Sequence, residues 1–262
     1  MSEAAVAQSR GNPLFALQIL HAWSQGGHME LKDGRYVVPA TSLEARAATT
    51  AELWEERVTA LPEEVRPAAL AAAALGGDIR RDVLGYQLEA LGLDAERAVA
   101  AMKRAQILLA SGSDRVRWPH ALLQEHLLAQ LFGMPDAATV FRAAADALAR
   151  HPEAESRRIV RHRVVNLTRA GDLEQAAELL HQLVASVWKG SRDVSAVLRD
   201  LAMLDGKLEG RALARHYRWR AEALRHAGNL EDSRREAEQA RAMFHAAADI
   251  SNEAHCLRLL GH

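Results

Sequence analysis

The chain has 262 residues, 49% of them apolar and 26% charged, with 33 basic against 34 acidic side chains and a net charge of −1. That length can bury a sizeable core and leaves room for two domains, while the balanced charge supplies no global field to gather nucleic acid or an anionic membrane. The single cysteine, Cys256, excludes an internal disulfide framework and a cysteine-based metal site. It fits a reducing compartment. No apolar leader and no run of about 18 apolar residues occurs, so a cytoplasmic location is expected.

Aromatics are scarce, and Ala, Leu, Glu and Arg dominate, which favours helices. Gly11-Asn-Pro13 opens a first helix, with proline where its missing N–H costs nothing. Its apolar stripe of Leu14, Leu17, Ile19, Leu20 and Trp23 stops at Gly26-Gly27. Asp33-Gly34, between the short alternating runs of residues 29–38, predicts a β-hairpin. Thr50 is a plausible N-cap for a helix carrying Leu53, Trp54, Val58 and Leu61. Pro62 restarts the helix, which runs through the alanine-rich segment to Gly76-Gly77. Two more helices are expected at Arg80–Leu91 and Asp94–Arg104. The period then changes. Residues 107–111, a Gly112-Ser-Asp114 turn and Arg115–Trp118 read as an antiparallel ribbon, followed by a helix over Ala121–Phe132. Three helices and then a ribbon is the order of a winged helix.

Gly133 and Pro135 interrupt the pattern, and everything beyond is expected to be helical. Ala170-Gly-Asp-Leu-Glu and Ala227-Gly-Asn-Leu-Glu are turns of one kind, 57 residues apart. A tetratricopeptide period is about 34, so an irregular hairpin near Val194–Leu204 must lie between them. The fold class is therefore mainly α. A lid-like helix and hairpin (1–48) precede a winged-helix domain with a small β ribbon (49–133). A degenerate tetratricopeptide-like superhelical repeat region follows (134–262) and is expected to be incomplete at its C-terminus. Ile250, Ala254, Leu257 and Leu260 share one face of the last helix. That face is expected to stay uncovered and to support self-association, unless it folds back on Ala240, Met243 and Phe244. Cys256 is expected to be a small buried hydrophobe.

Four segments resemble, in order and spacing, those of bacterial STAND-type ATPases, the signal-transduction relatives of AAA proteins. Gly11-Asn-Pro-Leu-Phe-Ala-Leu-Gln-Ile-Leu20 resembles the "GNP-hydrophobic" segment that opens the helical lid. Leu53-Trp-Glu-Glu-Arg-Val-Thr-Ala-Leu-Pro62 resembles the "RL-x-x-LP" helix, and Ala71-Ala-Ala-Ala-Leu-Gly76 the "AA-x-LG" helix. Trp118-Pro-His-Ala-Leu-Leu-Gln-Glu125 resembles the "F-x-H-x-L-x-x-E" segment after the wing. The resemblance covers about residues 10–132; the repeats match in style only. It implies a parent protein that binds ATP or ADP and is joined to a serine/threonine kinase or a transcription regulator. It further implies that Pro13 lies against the adenine ring and that His120 reaches the β-phosphate of ADP. Trp118-Pro119 departs from the commoner Phe-Arg, which removes an arginine that would assist a phosphate.

The chain has no Gly-x-x-x-x-Gly-Lys-Ser/Thr loop and no strand-ending acidic pair for magnesium. Both would precede Gly11 in the family, so a nucleotide-binding core is expected upstream, and the chain itself is expected to have no catalytic residues, no cofactor and no enzymatic activity. Its 12 histidines have no metal-ligand spacing, so no metal is expected. The bland reading of His120 is a cap on the following helix, and that of the cluster Arg157, Arg158, Arg161, His162, Arg163 is a solvated face. The alternative for the cluster is an acidic partner segment. The expected function is thus a regulatory, protein-interaction part of a STAND-type signalling ATPase, with a protein partner on the repeats. The competing class is a winged-helix transcription regulator reading DNA through Asp94–Arg104. Its three basic residues face two acidic ones, poor composition for tracking phosphates.

Overall fold

The computed structural model describes residues 30–32, 35–37, 55, 57–190 and 193–261. The expected hairpin is present: β1 (Glu30–Lys32) pairs antiparallel with β2 (Arg35–Val37), Lys32 opposite Arg35. The expected first helix, with Pro13, and the cap at Thr50 lie outside the described residues.

The helix expected before Pro62 is present among the described residues at 55 and 57–59, with Val58 and Leu61 buried, and α1 (Arg66–Ala73) begins later after Pro62 than expected. Pro62 forms a turn closed by Val65 N–H on the Pro62 carbonyl (2.8 Å), and Pro67 occupies the first helical turn instead. Ala68, Ala69, Ala71, Ala72 and Ala73 are all buried, because a methyl side chain lets neighbouring helices approach closely. The elements that follow are β3 (Asp78–Arg80), α2 (Arg81–Ala90), α3 (Ala95–Arg104), β4 (Leu109–Ala110), β5 (Arg115–Arg117) and α4 (Ala121–Phe132). The Asp94 carboxylate caps α3 by accepting from Arg97 N–H.

Strand β3 is an addition to the expected architecture: the helix expected from Arg80 starts one residue later, and Arg80 belongs to the strand with Asp78 and Ile79. They pair antiparallel with β5, giving a three-stranded sheet of order β3-β5-β4. The cause is long-range. Ile79 sits opposite Val116, both buried. Arg115 reaches Asp78 at 2.8 Å and Arg80 reaches Asp114 at 2.9 Å, so a short polar run with one apolar residue becomes a strand only when its partner is present.

Beyond residue 133 the chain is a stack of helices: α5 (Ala137–Ala149), α6 (Arg157–Ala170), α7 (Leu173–Gly190), α8 (Val194–Leu201) with a 3-10 turn (Ala202–Leu204), α9 (Gly210–His226), α10 (Leu230–Ala246) and α11 (Ile250–Leu260). Each packs on the next, and α7 also meets α9 and α9 meets α11. This is a mainly-α fold with helical repeats. The irregular hairpin expected between the two Gly turns is α8, two helical turns long and finished in 3-10 geometry.

The helix break near Phe132–Asp136 is present, with Gly133 ending α4. The core does not part there. Val140, Phe141, Ala144 and Leu148 of α5, with Ile159 of α6, join the same apolar cluster as Leu84, Met102 and Leu127. Arg169 of α6 lies over the rings of both Phe132 and Phe141, at 5.2 and 5.5 Å.

Three turns of the helical stack share one hydrogen-bond pattern. Asp172 N–H donates to Leu167 O, Asn229 N–H to Leu224 O, and Asp249 N–H to Phe244 O, at 2.9, 3.0 and 2.9 Å. The left-handed position before each is Gly171 (φ 82°), Gly228 (φ 82°) and Ala248 (φ 54°). At the end of the chain Cys256 is buried against Ala214, Ala240 and Phe244, and burial pushes its thiol pKa up. Leu257 and Leu260 are half-buried, whereas Ala254 is exposed and Ile250 is 78% exposed. Helix α11 thus folds back on α9 and α10 through Cys256, leaving the start of its apolar stripe open.

Candidate functional site

His120 is the N-cap of α4. Its backbone is extended (φ −150°, ψ 141°) and its Nδ1 accepts from Leu122 N–H at 3.1 Å. A nitrogen that accepts carries no hydrogen, so the neutral ring is protonated on Nε2. The capping role is therefore filled, and Pro13, its expected companion at a nucleotide, lies outside the described residues.

A densely bonded polar feature lies at the C-terminal end of α1. A helix leaves its last carbonyls without intrahelical donors, and in Ala71–Gly76 these are met by side chains from four different segments. Gln87 of α2 donates to Ala71 O (2.9 Å), and Gln124 of α4 to Ala73 O (3.1 Å). Trp118 Nε1 donates to Gly76 O (2.7 Å). From α6, Asn166 Nδ2 and His162 Nε2 both reach Ala74 O at 3.1 Å. A carbonyl only accepts, so Nε2 of His162 carries the hydrogen. Burial holds this imidazole below its ordinary pKa, against the pull of that hydrogen bond. Gly76 is required twice over. Its φ is +94°, and a Cβ there would lie 2.9 Å from Cε1 of His162. The junction thus ties the sheet-containing unit to the helical stack through one helix end.

The basic cluster on α6 divides. His162 turns to the junction, while Arg157, Arg158 and Arg161 line an open depression with Arg199 of α8, enclosing about 410 Å³. Beneath them Asp200 is fully buried. Arg157 Nε lies 3.0 Å from its Oδ2, and Arg157 Nη2 donates to Ala196 O (2.9 Å). Arg161 Nη1 stands 3.3 Å from Oδ1, close enough to pair but not aligned for a hydrogen bond. Sequence reasoning found the arginines and missed Asp200, although Val197, Asp200 and Leu201 have the spacing of one helix face.

A second buried polar group sits between α7 and α9. The His181 ring packs on His216 with centroids 5.8 Å apart. Both His181 nitrogens lack a hydrogen-bond partner. Burial, with His216, Arg215 and Arg218 nearby, lowers its pKa to about 3. His216 Nε2 lies 2.9 Å from Asp205 Oδ1, which also accepts from Arg220. Among the described residues no group of three or more His, Cys, Asp or Glu has a metal-binding arrangement, and no helix is long and apolar enough to cross a membrane.

Helix α3, the candidate DNA reader, buries Ala98, Val99, Ala101 and Met102. Its exposed face carries Glu96, Arg97, Lys103 and Arg104, and Arg97 is held by Glu64. The N-terminal end, which helix-turn-helix proteins aim at base edges, presents Asp94 and Glu96.

No family model and no curated protein matches the chain. Among solved structures it is similar to a Signal Transduction ATPase with Numerous Domains (STAND) protein with a tetratricopeptide repeat sensor, from Pyrococcus horikoshii. That match covers 98% of this chain and 43% of the other, at 11% identity and a TM-score of 0.43. The chain therefore spans less than half of that protein's length.

Proposed function

We propose that this chain is a regulatory, protein-interaction module of a STAND-type signalling ATPase, with a winged-helix domain (49–133) carried on a helical-repeat stack. The reading rests on the sequence motifs and on one observation: the Ala71–Gly76 helix end is capped from α2, α4, Trp118 and α6 together. Such a junction makes the sheet-containing unit and the first repeat helices one mechanical body. A partner that shifts α6 must then shift α1 and α4, and with them His120 at the head of α4.

In the parent protein the resemblance places nucleotide between Pro13 and His120, held by an upstream phosphate loop. A ring that caps α4 through Nδ1 carries its hydrogen on Nε2, the form that donates to a phosphate oxygen. The chain alone is not an enzyme under this reading, and purified protein should show no ATP turnover above a mock preparation from cells that lack it. Genomic sequence upstream of Met1 should continue in frame into a phosphate loop; a frame without one defeats the nucleotide part. The coupling part is tested by thermal unfolding. The wild type should melt in one transition, and His162→Ala with Asn166→Ala should split it or lower the first Tm by several degrees. An unchanged single transition in the double variant overturns the coupling.

Self-association through α11 belongs to the same proposal, with Ile250 and Ala254 as the open surface. The DNA-reading alternative is opposed by the acids at the head of α3, and a gel shift at low salt, where non-specific binding is strongest, checks it directly.

A further inference from the structure

We propose that the depression between α6 and α8 is a docking site for a short acidic segment of a partner protein, bound by Arg157, Arg158, Arg161 and Arg199. The inference rests on reading the stack as an interaction module and names what that module takes.

The depression is set apart by gathering four arginines on one hollow. Elsewhere on the described chain Arg80, Arg97, Arg115, Arg142, Arg211, Arg215, Arg220, Arg234 and Arg235 each stand against a carboxylate, while Arg81, Arg104, Arg117, Arg225 and Arg241 are exposed with no ion pair among the described residues. Here four arginines share two carboxylates, buried Asp200, met by Arg157 and Arg161, and exposed Glu153, 3.8 Å from Arg158. Arg199 is exposed and forms no ion pair among the described residues. A surplus of positive charge therefore faces an open hollow on a chain whose net charge is −1.

The surplus is also organised. A guanidinium has five donors in a rigid plane that matches carboxylate oxygens. Asp200 and the Ala196 carbonyl take Nε and Nη2 of Arg157, fixing the plane of that group and leaving its other donors unspent. Arg161 is drawn to the same carboxylate from the far side. Orientation set before binding removes part of the ordering cost that a loose arginine imposes on association. Arg158 and Arg199 flank this pair and are not committed to Asp200.

Size and charge choose the occupant. A hollow of about 410 Å³ holds side chains, not a duplex. Tight nucleic-acid binding through phosphates takes about 6–10 contacts, and four arginines offset by Asp200 and Glu153 cannot supply them. Glu153, beside Arg158, disfavours a long polyanion more than a few carboxylates held by Arg199, Arg157 and Arg161.

The experiment uses the full chain and a fluorescein-labelled peptide with a Glu-Glu-Asp-Glu core, read by anisotropy across a salt series. The control peptide carries Gln and Asn instead. The acidic peptide should bind, weaken as salt rises, and lose about tenfold in affinity to Arg158→Gln/Arg199→Gln, while the amide peptide does not bind. Both substituted residues lie on the surface, so the variant should keep the wild-type melting curve, and Arg234→Gln, on a distant helix, should bind normally. Equal affinity for the two peptides, no binding of either, or an unaffected double variant overturns the proposal. So does tighter binding of a phosphoserine peptide or of single-stranded DNA. A failed peptide assay on protein that still melts in one transition removes this site and leaves the coupling at Ala71–Gly76 standing.

Discussion

Acidification should loosen the α7–α9 joint through His181, and the size of the effect follows from burial. The ring is 6% exposed, and neither nitrogen has a hydrogen-bond partner. The charged groups facing it are His216, Arg215 and Arg218, all of which oppose a further positive charge. Its folded pKa of about 3 lies below the unfolded value of about 6.5. The native state therefore binds fewer protons than the unfolded one, so stability rises with pH. The contribution is complete above about pH 6.5 and is lost progressively from there down toward pH 3. At pH 5 the unfolded ring is protonated and the folded one is not, a gap of about 1.5 pH units, or ~2 kcal/mol. Burial depresses His151, His162 and His216 as well, in the same direction. Urea unfolding at pH 7.5, 6 and 5 on wild type and His181→Leu isolates the part due to His181. The variant should lose ~2 kcal/mol less between pH 7.5 and 5, and its neutral-pH stability should hold or rise, since two unpaired buried nitrogens are removed. A variant with the full wild-type pH dependence, or an NMR titration of the His181 ring centred near pH 6.5, refutes the reasoning.

The three matched turns give a paired test by thermal melts. Ala248→Gly should stabilise by about 0.5–1 kcal/mol, because an L-residue at φ 54° pays a left-handed penalty that glycine avoids; Gly171→Ala should cost a similar amount. At Gly76 the same change adds a contact of 2.9 Å with His162 to the penalty at φ +94°, so Gly76→Ala should destabilise by about 2–3 kcal/mol, and His162→Ala should recover part of that loss; an additive double variant would show that the contact does not matter. For α11, sedimentation at rising concentration should show self-association of the wild type, relieved by Ile250→Glu; a wild-type monomer at all concentrations rejects that surface.

The parts of the fold legible in the sequence are those whose cause is local. Asp94 caps its own helix, Gly133 ends its own, and the left-handed glycines at 171 and 228 sit where the chain turns. Each is set by residues within one helical turn. Strand β3 was not legible because its cause is Val116 and Arg115, more than 30 residues away. Nor was the third turn, because Ala248 adopts the glycine conformation without the glycine and is held there by the same 2.9 Å bond that closes the others. In the candidate sites the divide is the same. The arginine run on α6 is visible as composition, but which of its members face solvent depends on Asp200 and on Ala74, contributed by α8 and by the end of α1. His162 and Arg161 are neighbours in sequence; one completes a buried helix end and the other rims an open hollow.

That split has a functional consequence. On α6 the side chains that bond to α1 (His162, Asn166) and those that line the depression (Arg157, Arg158, Arg161) belong to one rigid helix of 14 residues. A ligand drawn into the depression pulls on Arg157 and Arg161, hence on the α6–α8 contact through Asp200. Displacement of α6 by that pull changes the distances at Ala74 directly, since two hydrogen bonds of 3.1 Å have little slack. No chain of intermediates between the depression and the junction has to be invoked, because α6 itself is the connection. Hydrogen exchange at the amides of α1 and α4, measured with and without the acidic peptide, reads this link. Protection that changes only in α6 and α8 would show that the two sites are neighbours without being coupled.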